Sequence, residues 1–173
     1  MFIDTARGRL RPWRDNDREA FAAMHADPEV MWDAVAPLTR SESDAKLGRY
    51  RETFAAHGFS RWAMEDRAGA FLGYVGLLPI PPRHELGEGV EIGWRFRRAA
   101  WGQGYATEGA VAALADGFAR FGFAEVLSYT APDNLRSQAV MERLGMSRTP
   151  TRDFVAADGW AGWVWRIERR TAP

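Results

Sequence analysis

The stretch that most constrains the fold is an alternating strand that runs into a glycine-rich turn and out again into a helix. Val90, Ile92, Trp94 and Phe96 alternate with Glu91, Gly93 and Arg95, the period-2 pattern of a strand with two different faces. Trp101-Gly102-Gln103-Gly104-Tyr105-Ala106-Thr107-Glu108 follows, and beyond it Val111, Leu114, Phe118 and Phe121 recur at helical spacing. The loop therefore opens a helix. The first N–H groups of a helix have no intrahelical partner and lie at the positive end of its dipole, so a junction of this kind attracts phosphate oxygens. Glycine adds close backbone approach and freedom of φ. An ordinary helix start has the same appearance, so the turn alone names no ligand. It is not a Walker loop, since Gly-Lys-Ser/Thr is absent, and no third glycine completes G-x-G-x-x-G.

These residues resemble the GNAT superfamily of N-acetyltransferases, whose pyrophosphate loop reads Q/R-x-x-G-x-G/A. Trp101 takes the first position, Gly104 the fourth and Ala106 the sixth. The longer string from Glu91-Ile92-Gly93-Trp94 through Thr107-Glu108 is similar to the RimJ/RimL branch, which often has Trp where other members have Arg or Gln. A second match, Asn134-x-x-Ser137 with Leu144-Gly145-Met146 after it, is similar to that branch's N-x-x-S…G-F segment. The resemblance covers most of the chain. It implies one α/β domain over residues 1–173, with a mixed, largely antiparallel sheet that splays between its fourth and fifth strands and helices on both faces. Acetyl-CoA would lie in the splay.

The residue patterns agree with one layered fold. Leu10 to Trp13 reads as a short first strand, with Pro12 placing it at an edge or ending it, and Asp15 or Asn16 as the cap of a helix carrying Phe21 and Met24. Ser41 with Asp44 predicts a capped helix bearing Leu47, Tyr50 and Phe54 that stops near Gly58. Phe59 to Glu65 and Phe71 to Ile80 read as strands, with Gly73 and Gly76 marking a bulge or a close neighbour. The segment from Pro81 to Gly89, with His84 and Glu85, reads as a mobile loop near the cleft. Ala124 to Thr130 is a further strand, and Asn134 begins a helix that Gly145 ends. Phe154-Val155 should pair with Trp163, Val164 and Trp165 as a hairpin across Asp158-Gly159.

Composition narrows the function. Lys plus Arg total 23 against 23 for Asp plus Glu, which argues against a general electrostatic grip on nucleic acid. There is no cysteine, so thiolate catalysis, disulfides and cysteine metal clusters are excluded. No apolar run approaches the ~20 residues of a membrane helix, and the N-terminus has no apolar segment of the signal-peptide kind. Cytoplasm is the default expectation, with no membrane and no nucleic acid as partner. His25 lies beside an apolar stripe and reads as a packing or surface histidine; no metal-ligand spacing occurs anywhere. Most of the eight tryptophans occupy strand positions, which favours core packing over base stacking.

Direct acetyl transfer to an amine needs a held thioester, a neutral amine and a proton donor for the departing thiolate, but no enzyme nucleophile. The resemblance implies that backbone groups near Trp94 and Phe96 hold the pantetheine arm and that Gly102 to Thr107 take the pyrophosphate. Arg97 and Arg98 either reach CoA phosphates or are merely solvated. Glu91 points opposite to Val90, Ile92, Trp94 and Phe96. It is a candidate base for the amine, directly or through water, an amine-binding carboxylate, or one half of a structural ion pair. The counterpart of Asn134 contacts the pantetheine arm in the family. The tyrosine that many members use as general acid is replaced by Met141, which leaves Ser137, Tyr105 or water, with Ser137 favoured. Trp32 is either packed or a wall of the acceptor site. The resemblance implies a primary amine as acceptor, on a protein N-terminus or a small molecule. The other reading is a non-catalytic acyl-CoA sensor, and dimers occur among related proteins.

Overall fold

Alternation along a strand sends successive side chains to opposite faces, and in this chain the two faces carry different chemistry. The computed structural model describes residues 1–169. In chain order the elements are β1 (Ile3–Asp4), β2 (Gly8–Arg11), α1 (Asp17–Ala26), α2 (Arg40–His57), β3 (Arg61–Asp66), β4 (Phe71–Ile80) and β5 (Gly89–Phe96). After these come α3 (Tyr105–Phe121), β6 (Glu125–Thr130), α4 (Leu135–Arg143), β7 (Ser147–Arg148), β8 (Phe154–Val155) and β9 (Ala161–Glu168). The sheet runs β1-β2-β3-β4-β5-β6-β9-β7, with β8 added to β9. All pairs are antiparallel except β5 with β6, and that pair registers only at Glu91↔Leu127. Beyond this point the fourth and fifth long strands part, as expected of the splayed sheet.

One face of the sheet, with Leu10, Met64, Val75, Leu77 and Ile92, packs under α3. The other, with Ala63, Phe71 and Tyr74, packs against α1 and α2 through Phe21, Met24, Leu47 and Tyr50. The buried face of α3 differs from the expected stripe: Gly109, Ala110, Ala113, Leu114 and Gly117 are buried, whereas Val111 is 53% exposed. A Cβ at Gly109 would lie 2.6 Å from Val75 Cγ1, and one at Gly117 would lie 2.4 Å from Leu77 Cδ1. Small residues thus seat α3 directly on β4, and hydrophobic spacing cannot reveal a helix face whose role is to be thin.

Three local expectations are corrected. Neither Asp15 nor Asn16 caps α1; the Asp17 carboxylate, held by Arg11, accepts the Arg14 N–H at 2.7 Å instead. Helix α2 begins two residues earlier than Ser41 implied, with Thr39 and Glu42 forming a reciprocal capping box. In the terminal hairpin, Phe154 and Val155 pair with Gly162 and Ala161, because further along the same edge of β9 Val164 and Trp165 are engaged by Thr149, Asp153 and Arg148, while β6 takes the other edge. Gly73 and Gly76 do mark close neighbours: a Cβ would lie 2.4 Å from the Arg95 and Ser60 carbonyl oxygens respectively. Among the described residues no helix is long and apolar enough to cross a membrane.

Candidate active site

Within the Trp101–Glu108 loop, the N–H groups from Gly102 to Thr107 have no partner among the described residues. Gly102 and Gly104 take φ of 71° and 81°, the left-handed region in which a Cβ is strained, and so turn the chain into α3. The first helical bond runs from the Glu108 N–H to the Gly104 carbonyl at 3.0 Å, and Gly104 has no side chain to cap the N–H groups before it. Helix α2, by contrast, satisfies its start with Thr39. The open groups line a groove of about 920 Å³ between the end of β5 and the start of α4.

Two side chains, Arg7 from outside and Trp101 from within, fix this loop. The Arg7 backbone N–H and Nε donate to the Glu108 carboxylate at 2.7 and 2.8 Å, while Arg7 Nη1 donates to the Gln103 carbonyl at 2.7 Å. The Trp101 indole N–H donates to the Phe96 carbonyl at 2.8 Å, tying the loop to the end of β5. The guanidiniums of Arg98 and Arg136 lie 4.9 and 4.5 Å from the Trp101 ring. Arg98, Arg136 and Arg143 line the groove, whereas Arg97 is exposed and does not. Arg136 and Arg143 were missed in sequence because their helix is read for its apolar positions.

The edge of β5 that faces the splay is defined by the Ser128 hydroxyl, which donates to the Ile92 carbonyl at 2.9 Å. Polar groups two residues apart on a strand point to the same edge, so the N–H and C=O of Trp94 also face the opening. Trp94 has no registered partner on β6. The Phe96 carbonyl, in contrast, is already used by Trp101.

Behind this edge lies a smaller, polar chamber of about 210 Å³. Its floor is the Glu91–Arg61 ion pair: Arg61 donates to Glu91 Oε1 and to the Gly76 carbonyl, and both side chains are about nine-tenths buried. Burial opposes the Arg61 charge, but Glu91 outweighs it and raises the pKa. Glu91 Oε2 has no hydrogen-bond donor among the described residues. Arg95 pairs with Asp33 at 2.8 Å and donates to the Val30 carbonyl, fixing the segment after α1 against β5. Burial, with a smaller contribution from Glu91, pushes the Tyr129 phenol up, so it stays protonated.

Groove and chamber share Asp33, Trp94, Arg95, Asn134 and Ser137. Asn134 Oδ1 accepts the Ser137 N–H at 3.1 Å and caps α4, which sets Ser137 at the junction. Met141 is 1% exposed and forms part of the chamber wall. Trp32, 44% exposed, lines the groove and not the chamber. The structure therefore brings Glu91, Trp94, Asn134 and Ser137 together with the loop Trp101–Thr107, and sets Trp32 and Arg97 apart from the chamber. Lys46, Tyr50, Arg61 and Tyr74 also line the chamber. They come from α2, β3 and β4, outside both the glycine-rich loop and the Asn134-x-x-Ser137 motif.

Residues 7–147 match the model of a family described as "Acetyltransferase (GNAT) domain". An uncharacterized protein of Bacillus subtilis, YkkB, is 34% identical over 149 residues, covering 85% of this chain and 86% of that protein. Among solved structures, an acetyltransferase from Agrobacterium tumefaciens superimposes with a TM-score of 0.84 at 24% identity, covering 98% and 95% of the two chains. Mycobacterium smegmatis RimJ in complex with CoA-disulfide gives a TM-score of 0.77 at 18% identity over 97% and 87%.

Proposed function

This chain belongs to the GNAT acetyltransferase family and is an acetyl-CoA-dependent N-acetyltransferase, and from that premise we propose that residues 1–173 form one domain that transfers acetyl directly to a primary amine bound over Glu91. The observation that carries this reading is the shared wall of the two cavities. Open N–H groups lie in the groove, a carboxylate with one free oxygen lies in the chamber, and Trp94 and Ser137 stand where the two meet.

Acetyl-CoA supplies the activated acyl group. The N–H groups from Gly102 to Thr107 hold its pyrophosphate, with Gln103 and Tyr105 shaping the rim and Ala106 keeping the approach open. Arg98, Arg136 and Arg143 add positive charge along the groove. The Trp94 N–H and C=O orient the pantetheine arm beside Asn134, and water is excluded by the Trp94 and Met141 walls. Glu91 Oε2 takes the proton from the attacking amine, directly or through one water. As nitrogen bonds to the acyl carbon the carbon–sulfur bond breaks, and Ser137 Oγ donates a hydrogen bond to the departing thiolate. The acceptor is the α-amine of a protein N-terminus or a small amine.

The test is binding first and turnover second. CoA and acetyl-CoA at ~100 times their dissociation constants should add about 2.7 kcal/mol, moving the unfolding midpoint by several degrees, while ATP and NAD should not. Release of free thiol from acetyl-CoA is then followed over peptides and small amines, and the absence of cysteine in the chain makes CoA its sole source. A CoA-induced shift with no thiol released by any amine would overturn direct transfer to a primary amine.

A further inference from the structure

The charges around the chamber do not balance. Arg61 is matched by Glu91 and Arg95 by Asp33, but Lys46, which lines the same chamber from α2, makes no salt bridge or side-chain hydrogen bond among the described residues. Three cations, Lys46, Arg61 and Arg95, therefore face two carboxylates, Asp33 and Glu91. Tyr74 registers the excess. Burial alone would raise its phenol pKa, yet Lys46 and Arg95, aided by Tyr50 and Arg61, bring it below the ordinary value. Lys46 likewise adds to the burial that depresses His25 on the other side of Tyr74. A half-buried cation without a partner pays a desolvation cost that a bound anion would offset.

We propose that the acceptor is a small amine carrying its own carboxylate, an amino acid, whose carboxylate is received by Lys46 while its amine lies over Glu91. The two groups line one chamber from two different elements, α2 and β5. Its volume of about 210 Å³, against about 920 Å³ for the groove, suits a small acceptor and not a folded chain end with its neighbours. This assignment rests on the direct-transfer reading above and names its substrate class.

Thiol release from acetyl-CoA is measured for a panel of amino acids, each beside its methyl ester and its decarboxylated amine, and for peptides with a blocked C-terminus. The wild-type protein should favour at least one amino acid over its ester by about 10–100-fold in kcat/KM, the scale of one charge-assisted hydrogen bond. Lys46→Met should erase that preference mainly through KM, and Lys46→Arg should restore much of it; a retained CoA-induced thermal shift shows that each variant is folded. Equal or better turnover of esters or blocked peptides by the wild-type protein would overturn the carboxylate assignment and leave direct transfer standing. A preference that persists in Lys46→Met would overturn the role of Lys46. Thiol release by no amine at all would overturn both readings.

Discussion

Arg61 reaches Glu91 only because residue 93 has no side chain: a Cβ at Gly93 would lie 2.6 Å from Arg61 Nη2 and 3.1 Å from Arg61 Cζ. The guanidinium occupies that space and joins β3, β4 and β5 through the Gly76 carbonyl and the Glu91 carboxylate. The pair engages Glu91 Oε1 and leaves Oε2 without a donor among the described residues. An ion pair and a proton-accepting carboxylate are thus compatible in one residue.

Glu91→Gln keeps the shape and a hydrogen bond to Arg61 but removes the proton acceptor. We expect kcat to fall by about 10²–10⁴-fold, the range of general-base catalysis. The CoA-induced thermal shift should be unchanged. Steady-state kinetics beside that shift checks both, and wild-type kcat would remove Glu91 from proton transfer.

Gly93→Ala should displace Arg61. A buried pair broken outright costs about 3–5 kcal/mol, and overpacking that only shifts it roughly 1–3 kcal/mol. Urea unfolding should show that loss, and kcat should fall with it because Glu91 loses its orientation. A midpoint and kcat equal to wild type would mean that the guanidinium has another resting place.

Arg7 and Glu108 hold the loop from the side away from the groove. Arg7→Ala frees the Gln103 carbonyl, so the open N–H groups must be ordered on binding. We expect CoA affinity to fall about 3–10-fold, an ordering cost of ~1 kcal/mol, with kcat at saturating acetyl-CoA retained. Isothermal titration calorimetry measures the first and thiol release the second; an unchanged Kd would leave Arg7 a surface residue.

His25 makes stability depend on pH. It is fully buried, its Nδ1 donates to the Phe21 carbonyl at 2.9 Å, and its Nε2 faces the Tyr74 hydroxyl. Burial, then Lys46 and Arg95, bring its pKa down from 6.5 to about 4. The folded value is below the unfolded one, so the contribution is complete above pH 6.5 and declines as pH falls toward 4. It amounts to something on the order of 3 kcal/mol. Urea unfolding at pH 7 and pH 4.5 should show the loss, and His25→Leu should flatten it. An unaltered slope in that variant would assign the loss to other groups.

Sequence alone determined a great deal here. The alternation of Val90–Phe96, the glycines at 102 and 104 and the spacing Asn134-x-x-Ser137 are local patterns, and local patterns fix local structure. They gave the strand, the open-ended helix, the capped helix and the family. The thin face of α3, the Thr39 cap and the register of the terminal hairpin were less legible, since each depends on what a residue meets across the fold. Tertiary structure decided the chamber. Arg61, Lys46 and Tyr74 carry no motif, and they become a site only where α2, β3 and β4 converge on β5. Whether Glu91 has a partner, and whether Lys46 lacks one, are facts about distances between remote segments. Periodicity reports which way a side chain points from its own backbone, while charge balance depends on everything that points back.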